Sequence, residues 1–286
     1  MKKIFTLFSI ALVLFSCNSD DAVSTENATV MPDPTKLRKV VFFPETTYKK
    51  ELDFYENGLV KEIRTSNDNA VQTFIYNSNN NLASTTITAN GSAPFTINFT
   101  YDTQNHITFI NGMSIQFDSV RNAYATANNG GAFTEYFLNN NGLFNHEINY
   151  FGIDPEEAAN AELGASAHQT ENNTTALSND AEWSSTFSHD NKTNPLKAAF
   201  LPACKAIGLS NFGNVVKKLL DSEYNSVNNV VSIGYASEDP ESSSITYAYN
   251  SLNLPVTGVI EDFYLGQSQG TRVYIKYYYQ GETIPQ

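Results

Sequence analysis

The chain has 286 residues, with 30 Asp and Glu against 17 Lys and Arg and a net charge of −13. That balance argues against a nucleic-acid partner, because holding phosphates requires clustered cations and no basic run occurs. The acidity is that of a solvated, exposed surface, and the length suffices for one large β domain or two small ones with a sizeable core.

At the start, Lys2 and Lys3 precede an almost wholly apolar run from Ile4 to Phe15. A helix crossing a bilayer core of roughly 30 Å needs a longer run, so this segment has the form of a cleaved secretory signal. Leu14-Phe15-Ser16-Cys17 resembles a bacterial lipobox, in which the cysteine sulfur takes a diacylglycerol and becomes the new N-terminus. Asn18-Ser19-Asp20-Asp21 resembles the short acidic tag that directs Bacteroidetes lipoproteins to the cell surface. The resemblance implies lipidation at Cys17, anchoring in the outer membrane, and a domain facing the exterior. Two or three acyl chains anchor stably, at about 0.8 kcal/mol per buried methylene, so no second membrane segment is required.

Residues 18 to 36 are polar, with Pro32 and Pro34, and read as a flexible tether. Residues 37 to 286 read as a single domain. There, runs rich in Val, Ile, Thr, Phe and Tyr alternate with clusters of Asn, Gly, Ser and Asp, the pattern of strands joined by tight turns. Asn-Gly pairs begin at Asn57, Asn90, Asn111, Asn129 and Asn141. Both residues tolerate positive φ, so each pair marks a hairpin. The predicted fold is all-β: an antiparallel meander of repeated hairpins curled into an open or closed barrel-like sheet, with one or two short helices. The helices are expected at Asp154–Ala159 and Asn211–Leu220, and Gly164 to Asp180 reads as a surface loop.

A degenerate repeat underlies the strands. An aromatic closes one strand, a polar turn follows, and an aliphatic residue opens the next. Copies run Tyr55 to Leu59, Tyr76 to Leu82, Tyr101 to Ile107, Tyr136 to Leu143 and Tyr249 to Leu254, with a lengthened copy from Phe187 to Leu196. In Thr96–Tyr101 and Ser244–Tyr249, apolar and polar side chains alternate, placing one face against a core.

Tyr101-Asp102, with Ile107 five residues on, is similar to the tyrosine-aspartate repeats of RHS-type proteins. The chain more closely resembles Bacteroidetes surface lipoproteins of unknown function, built from degenerate copies of that unit and curled into a porin-like β structure. Asp190-Asn191-Lys192-Thr193-Asn194-Pro195 looks like the Asp-x-Lys-x-Asn-Pro element of those chains. Where the RHS unit carries Gly-Arg before its aliphatic residue, Asn105-His106 stands here. The resemblance implies an architecture and a location but brings no active site with it.

No zinc-protease, nucleophile-elbow, phosphate-loop or dinucleotide motif occurs, so no catalytic residue, metal ligand or cofactor is assigned. His106, His146, His168 and His189 are remote from one another; the first two fall in or beside turns, and His189 falls in the lengthened turn. Glu156-Glu157, Glu171, Asp180 with Glu182, Glu238-Asp239 and Glu261-Asp262 read as solvated faces, caps or turns. With Cys17 lipidated, Cys204 has no disulfide partner, and its apolar neighbours predict a buried, inert thiol. Asp118-Ser119-Val120 resembles a Bacteroidetes O-glycosylation acceptor.

Sixteen Tyr, nineteen Phe and one Trp are the richer resource, since a tyrosine presents an apolar face and a hydroxyl together. Trp183, Tyr274 and Tyr277 are the candidate ligand-binding residues. The expected function is a non-enzymatic cell-surface lipoprotein, a binding or scaffolding module with a glycan or protein ligand. The alternatives are an accessory glycan-binding lipoprotein of an outer-membrane uptake system and a glycoside hydrolase using two carboxylates.

Overall fold

The computed structural model describes residues 31–127, 133–140, 142–150, 162–170, 173–179, 183–207, 224, 226–236 and 241–285. Among the described residues, eighteen strands and the helix α1 (Pro195–Ile207) follow one another. The first half holds β1 (Leu37–Phe42), β2 (Lys50–Phe54), β3 (Val60–Thr65), β4 (Ala70–Tyr76), β5 (Leu82–Thr88), β6 (Phe95–Tyr101), β7 (Ile107–Ile110), β8 (Met113–Asp118) and β9 (Ala123–Ala127). Next come β10 (Phe133–Leu138), β11 (Phe144–Tyr150), β12 (Glu162–Thr170), β13 (Asn173–Asn179), β14 (Trp183–Thr193) and helix α1 (Pro195–Ile207). The last four strands are β15 (Asn228–Ala236), β16 (Glu241–Tyr249), β17 (Pro255–Tyr264) and β18 (Gln267–Tyr279).

Each strand pairs antiparallel with its successor, and β18 also pairs with β1, aligning Lys39 with Tyr278 and Phe42 with Ile275. The curled all-β meander expected from the hairpin pattern is the fold observed. Pairing on both sides of every strand deals with the hazard of exposed edges, which would otherwise template aggregation.

One turn shape recurs five times. Gly58 N–H donates to the Tyr55 carbonyl, and Tyr55 N–H donates to the Leu59 carbonyl. The same two bonds close Asn77–Asn81, Asp102–His106, Asn139–Leu143 and Asn250–Leu254, all within 2.8–3.2 Å. The fourth residue of each turn has positive φ: Gly58 (+88°), Asn80 (+60°), Asn105 (+65°), Gly142 (+72°) and Asn253 (+57°). This is a three-residue loop ending in a left-handed residue and a bulge, which explains why only Gly or Asn occupies that place. Asn and Asp in the first position assist, as Asp102 Oδ1 accepts the N–H groups of Gln104 and His106 at 2.8 Å each.

The expected two-residue turn, with positive φ at both central positions, occurs at Asn111-Gly112 (+50°, +80°) and not at Asn57-Gly58, where Asn57 keeps negative φ. A second such turn sits at Leu265-Gly266 (+49°, +75°), which no Asn-Gly pair announced. Two Asn-Gly markers, those beginning at Asn129 and Asn141, fall at least partly outside the described residues, as do the helices expected at 154–159 and 211–220. Strands β12 and β13 occupy most of the stretch read as a surface loop.

The turn geometry also moves the repeat frame by one or two residues in two copies. The bulges align Phe54 with Val60, Tyr76 with Leu82, Tyr101 with Ile107, Leu138 with Phe144 and Tyr249 with Pro255. Phe54 and Leu138 therefore stand where Tyr55 and Tyr136 were expected. Tyr101 Oη donates to the Leu82 carbonyl at 2.8 Å, tying one unit to the strand-opening residue of the unit before it. Tyr279 does the same to Pro255 at 2.8 Å. Tyr76, equivalent to Tyr101, has no such partner among the described residues.

The buried faces of the strands and α1 share one hydrophobic cluster. On α1 it includes Leu196, Phe200, Cys204 and Ile207, and the cysteine is buried and unbridged as expected. Phe200 stacks on Tyr224 at 4.4 Å and meets Phe74 of β4 edge-on at 6.4 Å. Fully burying each large apolar side chain contributes roughly 2 kcal/mol. No helix among the described residues is long and apolar enough to cross a membrane.

The segment from Phe187 to Leu196 is not a lengthened hairpin copy. It is the end of β14 followed by the start of α1, and the Asp190–Pro195 element forms the joint. Asn194 caps the helix by accepting Leu196 N–H at 3.0 Å, and it donates to the Ser226 carbonyl at 3.0 Å. Pro195 then takes the first helical position, where a missing N–H costs nothing. Asp190 accepts the N–H groups of Lys192 (2.9 Å) and Asn229 (3.1 Å) and the hydroxyl of Tyr249. The joint thereby links β14, β15 and β16.

At the front, β1 begins at Leu37. Residues Asp33 to Lys36, assigned to the tether, are bonded into the domain: Asp33 N–H donates to Gln280 Oε1 at 3.2 Å, and Gln280 N–H donates to the Lys36 carbonyl at 3.0 Å. Replacing Asp190 with Ala leaves these three donors short of this acceptor, so Asp190→Ala should lower unfolding free energy by about 2–3 kcal/mol. Urea unfolding followed by circular dichroism reads this directly, and an unchanged midpoint would remove the joint from the account.

Candidate functional site

A cleft of about 610 Å3 lies where the β2–β3 and β4–β5 turns stand side by side. Tyr55 and Tyr76 form its aromatic wall, edge to face with centroids 6.1 Å apart. Tyr55 Oη donates to the Phe74 carbonyl at 2.9 Å, which fixes that ring. Ile75, 55% exposed, supplies an apolar surface beside it. The polar lining comes from Glu56, Lys61 and the amides of Asn57, Asn77 and Asn80. Asn57 Nδ2 donates to Asn80 Oδ1 at 3.2 Å, linking the two turns, and the Lys61 ammonium lies 5.9 Å from the Tyr55 ring centre.

The local sequence explains this arrangement. Phe74-Ile75-Tyr76 places three apolar residues in succession on one strand, and alternation sends the middle one to solvent. The repeated turn sets Asn57, third in its turn, against Asn80, fourth in the next, and the amide ladder continues as Asn79 and Asn81 Nδ2 donate to Asn105 Oδ1 at 3.2 and 2.8 Å. Lys61 is the extra residue of the bulge that aligns Phe54 with Val60. Sequence reasoning did not single out Ile75, Lys61 or Asn80. The unbroken apolar triplet was the available signal.

The residues nominated from sequence lie elsewhere. Cys17 is outside the described residues. Trp183 opens β14 opposite Asn179, and its side chain is outside the description. Tyr274 and Tyr277 are core residues, 4% and 5% exposed, and present no ring to solvent. Pure alternation would put them on opposite faces. A register shift between Gly258 and Val259 turns Tyr274 inward, where it meets Phe42 edge-on at 5.5 Å. With Tyr279, the last strand thus sends three tyrosines into the core.

His106 does sit in a turn, stacked on Phe117 at 4.3 Å and 3.2 Å from the Asp102 carboxylate. His146 and His189 lie within β11 and β14, not in turns. His146 stacks on Phe137 at 4.5 Å, and His189 Nε2 lies 3.0 Å from Ser226 Oγ. Among the candidate acids, Glu261 accepts from Ser268 Oγ at 2.6 Å. Asp262 accepts from Ser243 Oγ at 2.7 Å and pairs with Arg272. Glu156, Glu157, Glu171, Asp180, Glu182, Glu238 and Asp239 fall outside the described residues, and the His168 side chain is not described. Among the described residues no three His, Cys, Asp or Glu side chains gather as a metal site would require. Asp118-Ser119-Val120 closes the exposed β8–β9 turn, with Asp118 Oδ1 accepting Val120 N–H at 2.8 Å.

No protein-family model and no curated protein matches this chain. Among solved structures, a porin-like protein from Bacteroides uniformis aligns at TM-score 0.33 and 15% identity, covering 86% of this chain and 98% of the other. A porin-like protein from Bacteroides vulgatus aligns at TM-score 0.31 and 11% identity, covering 86% and 100%. The structure of TcdB2-TccC3-TEV gives 0.25 and 9%, over 82% of this chain and 17% of that one. Scores this low support no argument about function.

Burial lowers the pKa of His146, and it lowers that of His189 against an opposing pull from Asp190. A depressed histidine pKa means the unfolded chain binds the extra proton first. The associated stability is complete above pH about 6.5 and is lost as pH falls through the folded values. Urea midpoints should therefore drop between pH 7.5 and 5.5, and drop less in the double variant His146→Gln, His189→Gln. Equal slopes in the two proteins would contradict this.

Proposed function

We propose that the chain is a non-enzymatic binding or scaffolding module, held on an outer membrane by lipid on Cys17 and displayed to the exterior. The tyrosine- and amide-lined cleft carries the binding part of this reading. The ring is held by a hydrogen bond and an edge contact, so little freedom remains to be lost when a ligand lands. A hydrolase of glycosidic bonds would need two carboxyls facing each other across its cleft. Among the described residues, Glu56 is the one carboxylate that lines this one.

Anchoring and display rest on the lipobox and the acidic tag after it. Cells fed radiolabelled palmitate should label the wild-type chain and not Cys17→Ala, and protease added to intact cells should remove the wild-type domain. Absence of label at position 17 would overturn the anchor. Robust hydrolysis of polysaccharides by the purified full chain would overturn the non-enzymatic reading.

A further inference from the structure

The cleft between the first two repeat turns has a lining that narrows the class of ligand. Its backbone is already committed. β2, β3, β4 and β5 are each paired on both sides, and the turn N–H and carbonyl groups of Tyr55, Asn77 and their partners close on one another. An extended peptide binds a sheet by adding to an unpaired edge, and these strands have none. Recognition here must run through side chains.

Those side chains fall into two sets. Tyr55 and Ile75 offer apolar area beside solvent, with the tyrosine ring held in place. Glu56, Asn57, Lys61 and Asn80 bring amide, carboxylate and ammonium groups around it. Amides donate and accept at once, a carboxylate accepts, and an ammonium donates, which is the complement of neighbouring hydroxyls. A pyranose joins these features in one molecule. Its face of C–H groups carries slight positive charge and packs on the negative face of an aromatic ring, while its edge carries hydroxyls. One ammonium and one carboxylate leave the lining without net charge, and the chain as a whole is acidic, so an anionic sugar is disfavoured. A volume of about 610 Å3 lies within the range of small-molecule sites.

We infer that this cleft binds a neutral pyranose unit of a glycan, the tyrosine ring and Ile75 taking the sugar's apolar face and the amides, Glu56 and Lys61 its hydroxyls. The inference rests on the proposal that the chain is a binding module and names the ligand class of its cleft.

The test is titration calorimetry of the full chain in a detergent without sugar groups, against maltohexaose, cellohexaose, xylohexaose and mannohexaose, with hexagalacturonate as the anionic comparison. At least one neutral hexasaccharide should bind, and Lys61→Ala and Ile75→Ala should each weaken it about five-fold or more with an unchanged urea midpoint. The inference falls if no neutral hexasaccharide binds, if only hexagalacturonate binds, or if the Lys61 and Ile75 variants bind as tightly as the parent. A protein partner photo-crosslinked at position 75, with every sugar silent, would overturn the sugar and leave the binding module standing. No partner of either kind would sink both.

Discussion

A loop of three residues cannot return an antiparallel strand on itself unless its last residue turns left-handed, and the fold depends on that constraint. Only Gly or Asn adopts positive φ there at little cost, so the sequence places Gly58, Asn80, Asn105, Gly142 or Asn253 at the same point of five turns. The bulge that follows shifts register by one. It aligns the closing residue of one strand with the opening residue of the next, six positions on, in all five copies. Register across each of these five turns is thereby set by the turn itself.

The long-range contacts then fasten one unit to another. Tyrosine hydroxyls reach carbonyls of the preceding unit, an economical way to satisfy a buried phenol and hold a backbone group in place at once. Helix α1 joins the core, where its Phe200 meets aromatics from β4 and from Tyr224. Elsewhere the sheet leaves little room. An added Cβ on Gly258 would stand 2.7 Å from Ile275 Cγ2 and 2.9 Å from Tyr247 Cε1, so strand and neighbour approach as closely as a glycine allows.

The proposed binding cleft grows from the same repetition. Because equivalent turns line one rim, amides that shape single hairpins also stand beside one another in the assembled sheet. Asn57, Asn80, Asn81 and Asn105 form a ladder of side-chain bonds. Beneath its first rung, the bulge residue Lys61 and the outward Ile75 meet the fixed ring of Tyr55. The cleft is a by-product of stacking units, which is why no motif in the chain names it.

Local chemistry was readable from the residues alone. Strand alternation in Thr96–Tyr101, the turn clusters and the all-β class all follow from short-range rules, since φ limits and a period of two act within a few positions. Those rules could not choose between a two-residue turn and a longer loop at Asn57-Gly58, because both admit Gly. They also missed α1, where Pro202 reads as a breaker until burial of Leu196, Phe200 and Ile207 outweighs the lost backbone bond. Facing near a bulge was equally hidden: one extra residue turns Tyr274 into the core, and only pairing with β17 reveals it. The pairing of β18 with β1, and the meeting of Tyr55, Lys61, Ile75 and Asn80 in one cleft, were decided by tertiary structure. These contacts join positions that no local rule relates, and their energy exists only once the sheet has curled.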